Sequence, residues 1–204
     1  MKRTFARVTG VISLSLFMIA SAAWAQQPSR LRGTIEAVDG PMLTVKERAG
    51  TMLKVKMADN VAIRAVVKMS MADIKAGSYV GVTGMPQPDG SQKALEVHIF
   101  PEPMRGTGEG HRPWDLQPSS TMTNANVETT VASTDGQVLM MKYKDGEKKV
   151  IVPPTTPIVT YAPASKDEVK PGLTVFINNP TKKEDGSYEA AAITISRGDV
   201  KPPM

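Results

Sequence analysis

Self-comparison constrains this chain more than any other property of it. A shift of 96 residues lays Asp39-Gly40 on Asp135-Gly136, Leu43 on Leu139, Gly50 on Gly146, Val55 on Ile151 and Asp89-Gly90 on Asp185-Gly186. Ala94, Val97 and Ile99 fall on Ala190, Ile193 and Ile195. Ile74-Lys75-Ala76-Gly77 meets Val169-Lys170-Pro171-Gly172 after a one-residue slip. Glycines recur at turns and aliphatic residues recur between them, which is the pattern of a tandem duplication of one small fold.

Within each copy the period is two. In the first, the apolar runs predict strands over Thr34–Val38, Met42–Glu47, Met52–Met57, Val61–Val67, Tyr79–Thr83 and Lys93–Phe100. Leu53, Val55 and Met57 alternate with Lys54 and Lys56, so one side faces a core and the ammonium groups face water. Ser70 is placed to cap a helical turn over Met71–Lys75, which Gly77 ends. In the second copy Pro153, Pro154 and Pro157 interrupt the stretch matching Met57–Val61, so that strand is expected to be shorter or to lie at an edge. Many short antiparallel strands with one helical turn suit an all-β fold of two small closed barrels, because closure removes exposed sheet edges.

The amino terminus has a different character. Lys2, Arg3 and Arg7 precede an apolar run from Val11 to Ala20, and Ala23-Trp24-Ala25 has the small-x-small form of a cleavage site. Residues 1–25 are therefore expected to be a signal peptide cleaved near Ala25, delivering a periplasmic or secreted protein with no membrane span in the mature chain. The run is too short to cross a bilayer. Three of the 25 basic residues and none of the 20 acidic ones lie in that leader, so the net charge of +5 falls to +2 without it. That is too little charge for a nucleic-acid footprint. No cysteine is present, so no disulfide supports the fold.

The order of residues in Gly33–Gly40, Asp73–Gly84 and Asp89–Val97, matched again in Val131–Gly136, Glu168–Ile177 and Asp185–Ile193, resembles an uncharacterised family of exported bacterial domains. The resemblance implies small OB-like β-barrels in tandem, and it carries over no catalytic residue. Some proteins that look similar are labelled metal transporters, yet a permease would need spanning helices absent from this sequence. The expected layout is a first barrel over 26–100, a connector over 101–125, a second barrel over 126–198 and a tail over 199–204.

The connector is the most distinctive segment. Gly106, Gly108 and Gly110 alternate between Arg105 and Arg112, a pattern able to wrap an anion with backbone N–H groups and guanidinium forks, although no P-loop follows. Trp114, flanked by Arg112 and Asp115, is expected either to pack between the barrels or to stack on a small molecule or glycan; His111 completes this candidate set. A second candidate is chemical softness. Eleven methionines lie beyond the leader, and Met69 and Met71 with Met104, His98 or His111 would offer thioethers and an imidazole to copper. The arrangement is similar to small periplasmic copper chaperones, except that Trp114 and His111 lie far in sequence from the Met pair. Core filling explains most of the methionines more simply. His98 alternates with Val97 and Ile99 and is expected at the surface. No nucleophile elbow or paired metal spacing is present. The expectation is thus a non-catalytic envelope protein that binds an unknown partner protein or small ligand, holds no required cofactor, and has copper handling as its alternative.

Overall fold

The computed structural model describes residues 29–202. The expected signal peptide lies outside the described residues. Among the described residues the protein is all-β, with three single 3₁₀ turns, and no helix is long and apolar enough to cross a membrane. Thirteen strands run in order: β1 (Arg30–Asp39), β2 (Met42–Glu47), β3 (Met52–Lys68), β4 (Tyr79–Pro86), β5 (Gln92–Ile99), β6 (Gly110–Pro113), β7 (Thr121–Ser133), β8 (Gly136–Tyr143), β9 (Gly146–Val152), β10 (Ile158–Pro163), β11 (Thr174–Asn178), β12 (Thr181–Lys182) and β13 (Tyr188–Ile195).

A closed five-stranded barrel forms from β1, β2, β3, β13 and β11. Antiparallel ladders join β1 to β2, β2 to β3, β13 to β11 and β11 to β1, and a parallel ladder from Tyr188↔Val55 to Ile195↔Ala65 closes the circuit between β13 and β3. Leu31, Ile35, Leu43, Val45, Val55, Ile177, Ile193 and Ile195 fill its interior. Lys54 and Lys56 point to solvent, as the alternation requires. The remaining long strands pair in the order β5, β4, β7, β8, β9, and β9 returns to β5 through Gln92↔Val150 and Lys93↔Ile151. Val80, Val82, Val97, Leu139, Met141 and Val150 are buried among these strands.

The strands do not close within the expected stretches 26–100 and 126–198. The first three strands of the amino-terminal half close with β11 and β13 of the carboxy-terminal half, while β4 and β5 join β7, β8 and β9. The reason lies in β3, expected as two strands and found as one of 17 residues. It pairs with β2 over Met52–Lys56, with β13 as far as Ala65, and with β10 over Arg64–Lys68. It therefore carries the chain out of the first barrel before β4 begins. In the other half the prolines do break this run: β9 stops at Val152 and β10 starts at Ile158. The strands are shorter, at 7 and 6 residues against the 17 of β3, and β10 is not at an edge: it sits between β3 and β5, antiparallel to one and parallel to the other.

Local pairing is similar around the first hairpin of each half. Ile35 pairs with Val45 and is followed by a bulge at Glu36; Val127 pairs with Met141 and is followed by a bulge at Glu128. The structural counterpart of Ile35 is thus Val127, not Val131, and the β7–β8 hairpin is two residues longer in each strand than the β1–β2 hairpin. Matching Asp39-Gly40 to Asp135-Gly136 misses that extension. The expected helical turn is a 3₁₀ turn over Met71–Asp73, where the Asp73 carboxylate accepts from the Ser70 amide at 2.8 Å and hydroxyl at 2.7 Å. Ser165 and Glu168 repeat the arrangement around Lys166–Glu168, with an amide-to-carboxylate distance of 3.1 Å.

Candidate functional site

Three places collect the chemistry. The first is the connector. Its glycines take positive φ (+83° at Gly106, +55° at Gly108, +120° at Gly110), which lets the chain turn twice in succession: Thr107 N–H reaches the Met104 carbonyl at 3.1 Å and Glu109 N–H the Gly106 carbonyl at 3.3 Å. The loop's own groups consume its cations. Arg105 donates to both carboxylate oxygens of Glu102 (2.6 and 2.7 Å), to Asn126 Oδ1 (2.5 Å) and to the Gly77 carbonyl (3.0 Å). Arg112 donates to the Gly108 carbonyl at 2.6 Å. Both arginines of the expected anion cradle are thus engaged in holding the connector's shape.

After β6 pairs with β7, Trp114 turns back onto β1. The Arg30 guanidinium lies 3.6 Å from its ring centroid and that of Arg112 lies 5.4 Å away. Asp115 accepts from Arg32 through both carboxylate oxygens, at 3.1 and 2.8 Å, with Arg30 3.4 Å from one of them. Burial disfavours the Asp115 anion, but the Arg32 fork and the Arg30 charge outweigh it and hold its carboxyl below the usual range. The partner of Asp115 is therefore β1, not the neighbouring Arg112. Two arginines ahead of Gly33 carry no motif, so sequence reasoning missed them; only the connector's placement against β1 reveals their role. Trp114 also packs against the buried cluster of Met122 and Phe176, as does Tyr161.

Beneath lies a buried layer between the two strand sets. A bulge at Leu95 leaves Ala94 and Val97 facing inward, while Glu96, His98 and Phe100 face outward, and all three are covered. The His98 ring sits 3.8 Å from that of Tyr161 and 4.8 Å from that of Phe100. The expected surface position of His98 is corrected to 1% exposure, because β10 and its Tyr161 cap this side of β5. Both carboxyl oxygens of Glu96 and both ring nitrogens of His98 lack a hydrogen-bond partner among the described residues. Burial pushes the His98 imidazole down to about 3, so it is neutral. Burial, offset in part by Arg32, raises the Glu96 carboxyl well above its ordinary value. Tyr161 is raised by burial and then by Glu96. A partly buried polar network continues beside this layer. Thr123 donates its hydroxyl to Gln92 Oε1 at 2.9 Å, so it must accept from His111 Nδ1 at 2.8 Å, and His111 carries its proton there. Gln92 in turn donates to the Thr121 carbonyl and hydroxyl, each at 2.9 Å.

The third place is an open groove of about 1300 Å³. Its floor and walls are Met69, Met71, Val152, Pro153, Pro154, Pro157 and Ile158, with the tail residues Val200 and Pro202 on one side. The tail is held there by a bridge between Arg197 and Val200, and Pro202 is buried. Met69 and Met71 also pack against the core of the second strand set.

The expected copper donors are divided among these places. Met69 and Met71 line the groove, His98 occupies the buried layer against Tyr161, Met104 belongs to a connector turn, and His111 is tied to Thr123. Among the described residues no group of three or more His, Cys, Asp or Glu is placed to hold a metal ion. The connector set Arg105, His111, Arg112, Trp114 and Asp115 is brought together only in part: Arg112, Trp114 and Asp115 adjoin across β1, whereas Arg105 and His111 serve other bonds.

No family model, no curated protein and no solved structure matches this chain.

Proposed function

We propose that the protein is an exported, non-catalytic binding or adaptor protein built of two OB-like barrels, one from β1, β2, β3, β11 and β13 and the other from β4, β5, β7, β8 and β9. In this reading the connector is a clasp that fixes the barrels to one another, and ligands enter the groove at Met69, Met71 and Ile158. The observation that carries it is the contrast in availability. The charged groups Arg105, Arg112 and Asp115 of the connector are engaged in hydrogen bonds within the molecule, while the groove presents an open, largely apolar concavity of the kind that takes small ligands.

Nile red, an uncharged apolar dye, provides the test. Fluorescence titration is expected to give one saturable site per chain, abolished in Met71→Asp and kept in Trp114→Phe. Loss of the site in Trp114→Phe with retention in Met71→Asp would move binding to the connector, and the absence of any saturable site would end the reading.

A further inference from the structure

The groove's chemistry is specific about what it can hold. Arg48, Lys68 and Lys201 stand on its lining and Asp199 is the one carboxylate among them. None of these four side chains takes part in a hydrogen bond or ion pair among the described residues, although seven such ion pairs form elsewhere in the molecule. Arg48, Lys68 and Lys201 are exposed, whereas Ile158 and Val152 beneath are buried. An apolar trough with surplus positive charge on its lining matches a molecule with an apolar body and an anionic head.

The walls decide between a peptide and a hydrocarbon. Pro153, Pro154, Pro157 and Pro202 contribute no N–H groups, and Met69, Met71, Val152 and Ile158 give the lining its thioether and aliphatic part, with Ser70, Gln137, Thr155 and Thr156 as its uncharged polar part. An extended peptide laid along Val152–Ile158 would meet prolines at three of those seven positions and find no continuous ladder of backbone donors for its carbonyls, which costs free energy. A saturated chain asks for no hydrogen bonds, and the flexible methionines adapt to its outline. Resting on the binding reading above, we propose that the groove's occupant is a single-chain acyl carboxylate, its chain over Met69, Met71 and Ile158 and its carboxylate among Arg48, Lys68 and Lys201.

Direct calorimetry with dodecanoate, kept below the concentration at which it forms micelles, tests this on the full mature chain. One site per chain is expected, with dodecyltrimethylammonium at least tenfold weaker and each pair of methylenes removed from the acid costing roughly tenfold in affinity. Lys68→Glu/Lys201→Glu, both exposed changes that leave the circular dichroism of the fold intact, should weaken dodecanoate at least tenfold and bring the cationic amphiphile level with it. Raising the salt should weaken dodecanoate and leave Nile red unchanged. Equal binding of the two amphiphiles, indifference to charge reversal, or tighter binding of an apolar acidic peptide overturns the proposal. Nile red binding without dodecanoate binding sinks the acyl carboxylate alone; failure of both sinks the groove as a binding site.

Discussion

Strands β5 and β13 hold equivalent places in the duplicated pattern, and they differ on one side only. Facing inward, Ala94, Val97 and Ile99 of β5 answer Ala190, Ile193 and Ile195 of β13. Even the parallel pairings correspond, Val97 with Ile158 of β10 and Ile193 with Ile63 of β3. Facing outward, Glu96, His98 and Phe100 stand where Ala192, Thr194 and Ser196 stand in the other strand. Ser196 is a small residue whose hydroxyl accepts from the Thr174 amide at 3.0 Å. The Glu96 and His98 side chains are large, titratable and without hydrogen-bond partners among the described residues. Closing a small barrel dictates the inward residues, since aliphatic volume must be filled. The outward residues answer to whichever neighbour covers that side, and on β5 the Tyr161 ring of β10 lies against His98 while the Arg32 charge of β1 acts on Glu96.

The largest test of this comparison is whether the inward sides belong to one folding unit. Leu43→Ala in the first barrel and Leu139→Ala in the second strand set should each cost about 2–5 kcal/mol. Because each set draws strands from both halves of the chain, both variants should lower a single shared unfolding transition in urea. Two transitions, with each variant moving its own, would show the sets to be independent.

The outward side of β5 is tested by acid and base. Unfolded, the His98 imidazole takes up a proton as pH falls through about 6.5, whereas the folded group waits until about 3. The unfolded state binds more protons over that window, so stability falls with falling pH, by roughly 2 kcal/mol at pH 5. Glu96 acts in the opposite sense. The unfolded carboxyl ionises above about 4.5 while the buried one stays protonated, so stability falls as pH rises beyond that point. Melting temperatures between pH 4 and 8 should lose their acid limb in His98→Gln and their alkaline slope in Glu96→Gln. Superimposable curves for all three proteins would contradict the burial of these groups. No comparable change is expected from Thr194→Val on β13.

A smaller loss is expected at the clasp. Asp115→Asn removes a forked ion pair to Arg32 that solvent partly screens, so about 1 kcal/mol is expected, with a red-shifted Trp114 emission as Arg30 loosens. An unchanged melting temperature together with an unchanged spectrum would mean that the connector does not hold β1. Smallest of all are the matched turns at Asp89 and Asp185, where each carboxylate accepts from the amide and hydroxyl of the serine two residues on. Asp89→Ala and Asp185→Ala should produce slight and equal falls in melting temperature, and unequal ones would break the equivalence.

These contrasts mark where sequence reading succeeds. Period-two alternation in Leu53–Met57 and the recurrence of Val97 as Ile193 are local consequences of a strand with one covered side, so the all-β character was legible. The exchange of strands between halves was not, because each copy carries the same pattern and either partner satisfies it. Nor was His98, since alternation says which way a side chain points and nothing about what lies over it. Trp114 drew attention through its rarity, but which strand it would meet was not legible. Arg30 and Arg32 had no local signature, being ordinary strand residues until the connector meets them. The Met69 and Met71 pair drew attention for its sulfur, while its position beside a proline-lined trough depended on the tail and on β10, both distant in sequence.

Strand exchange also sets an order of events. A polypeptide that emerges amino terminus first presents β1, β2 and β3 long before the strands that complete their circuit, β11 and β13. Until Ile195 arrives, the first barrel has two open edges and an uncovered interior. The earliest part of the chain to appear is thus among the last to close, and a stop codon anywhere before β13 would undo structure at the opposite end of the protein.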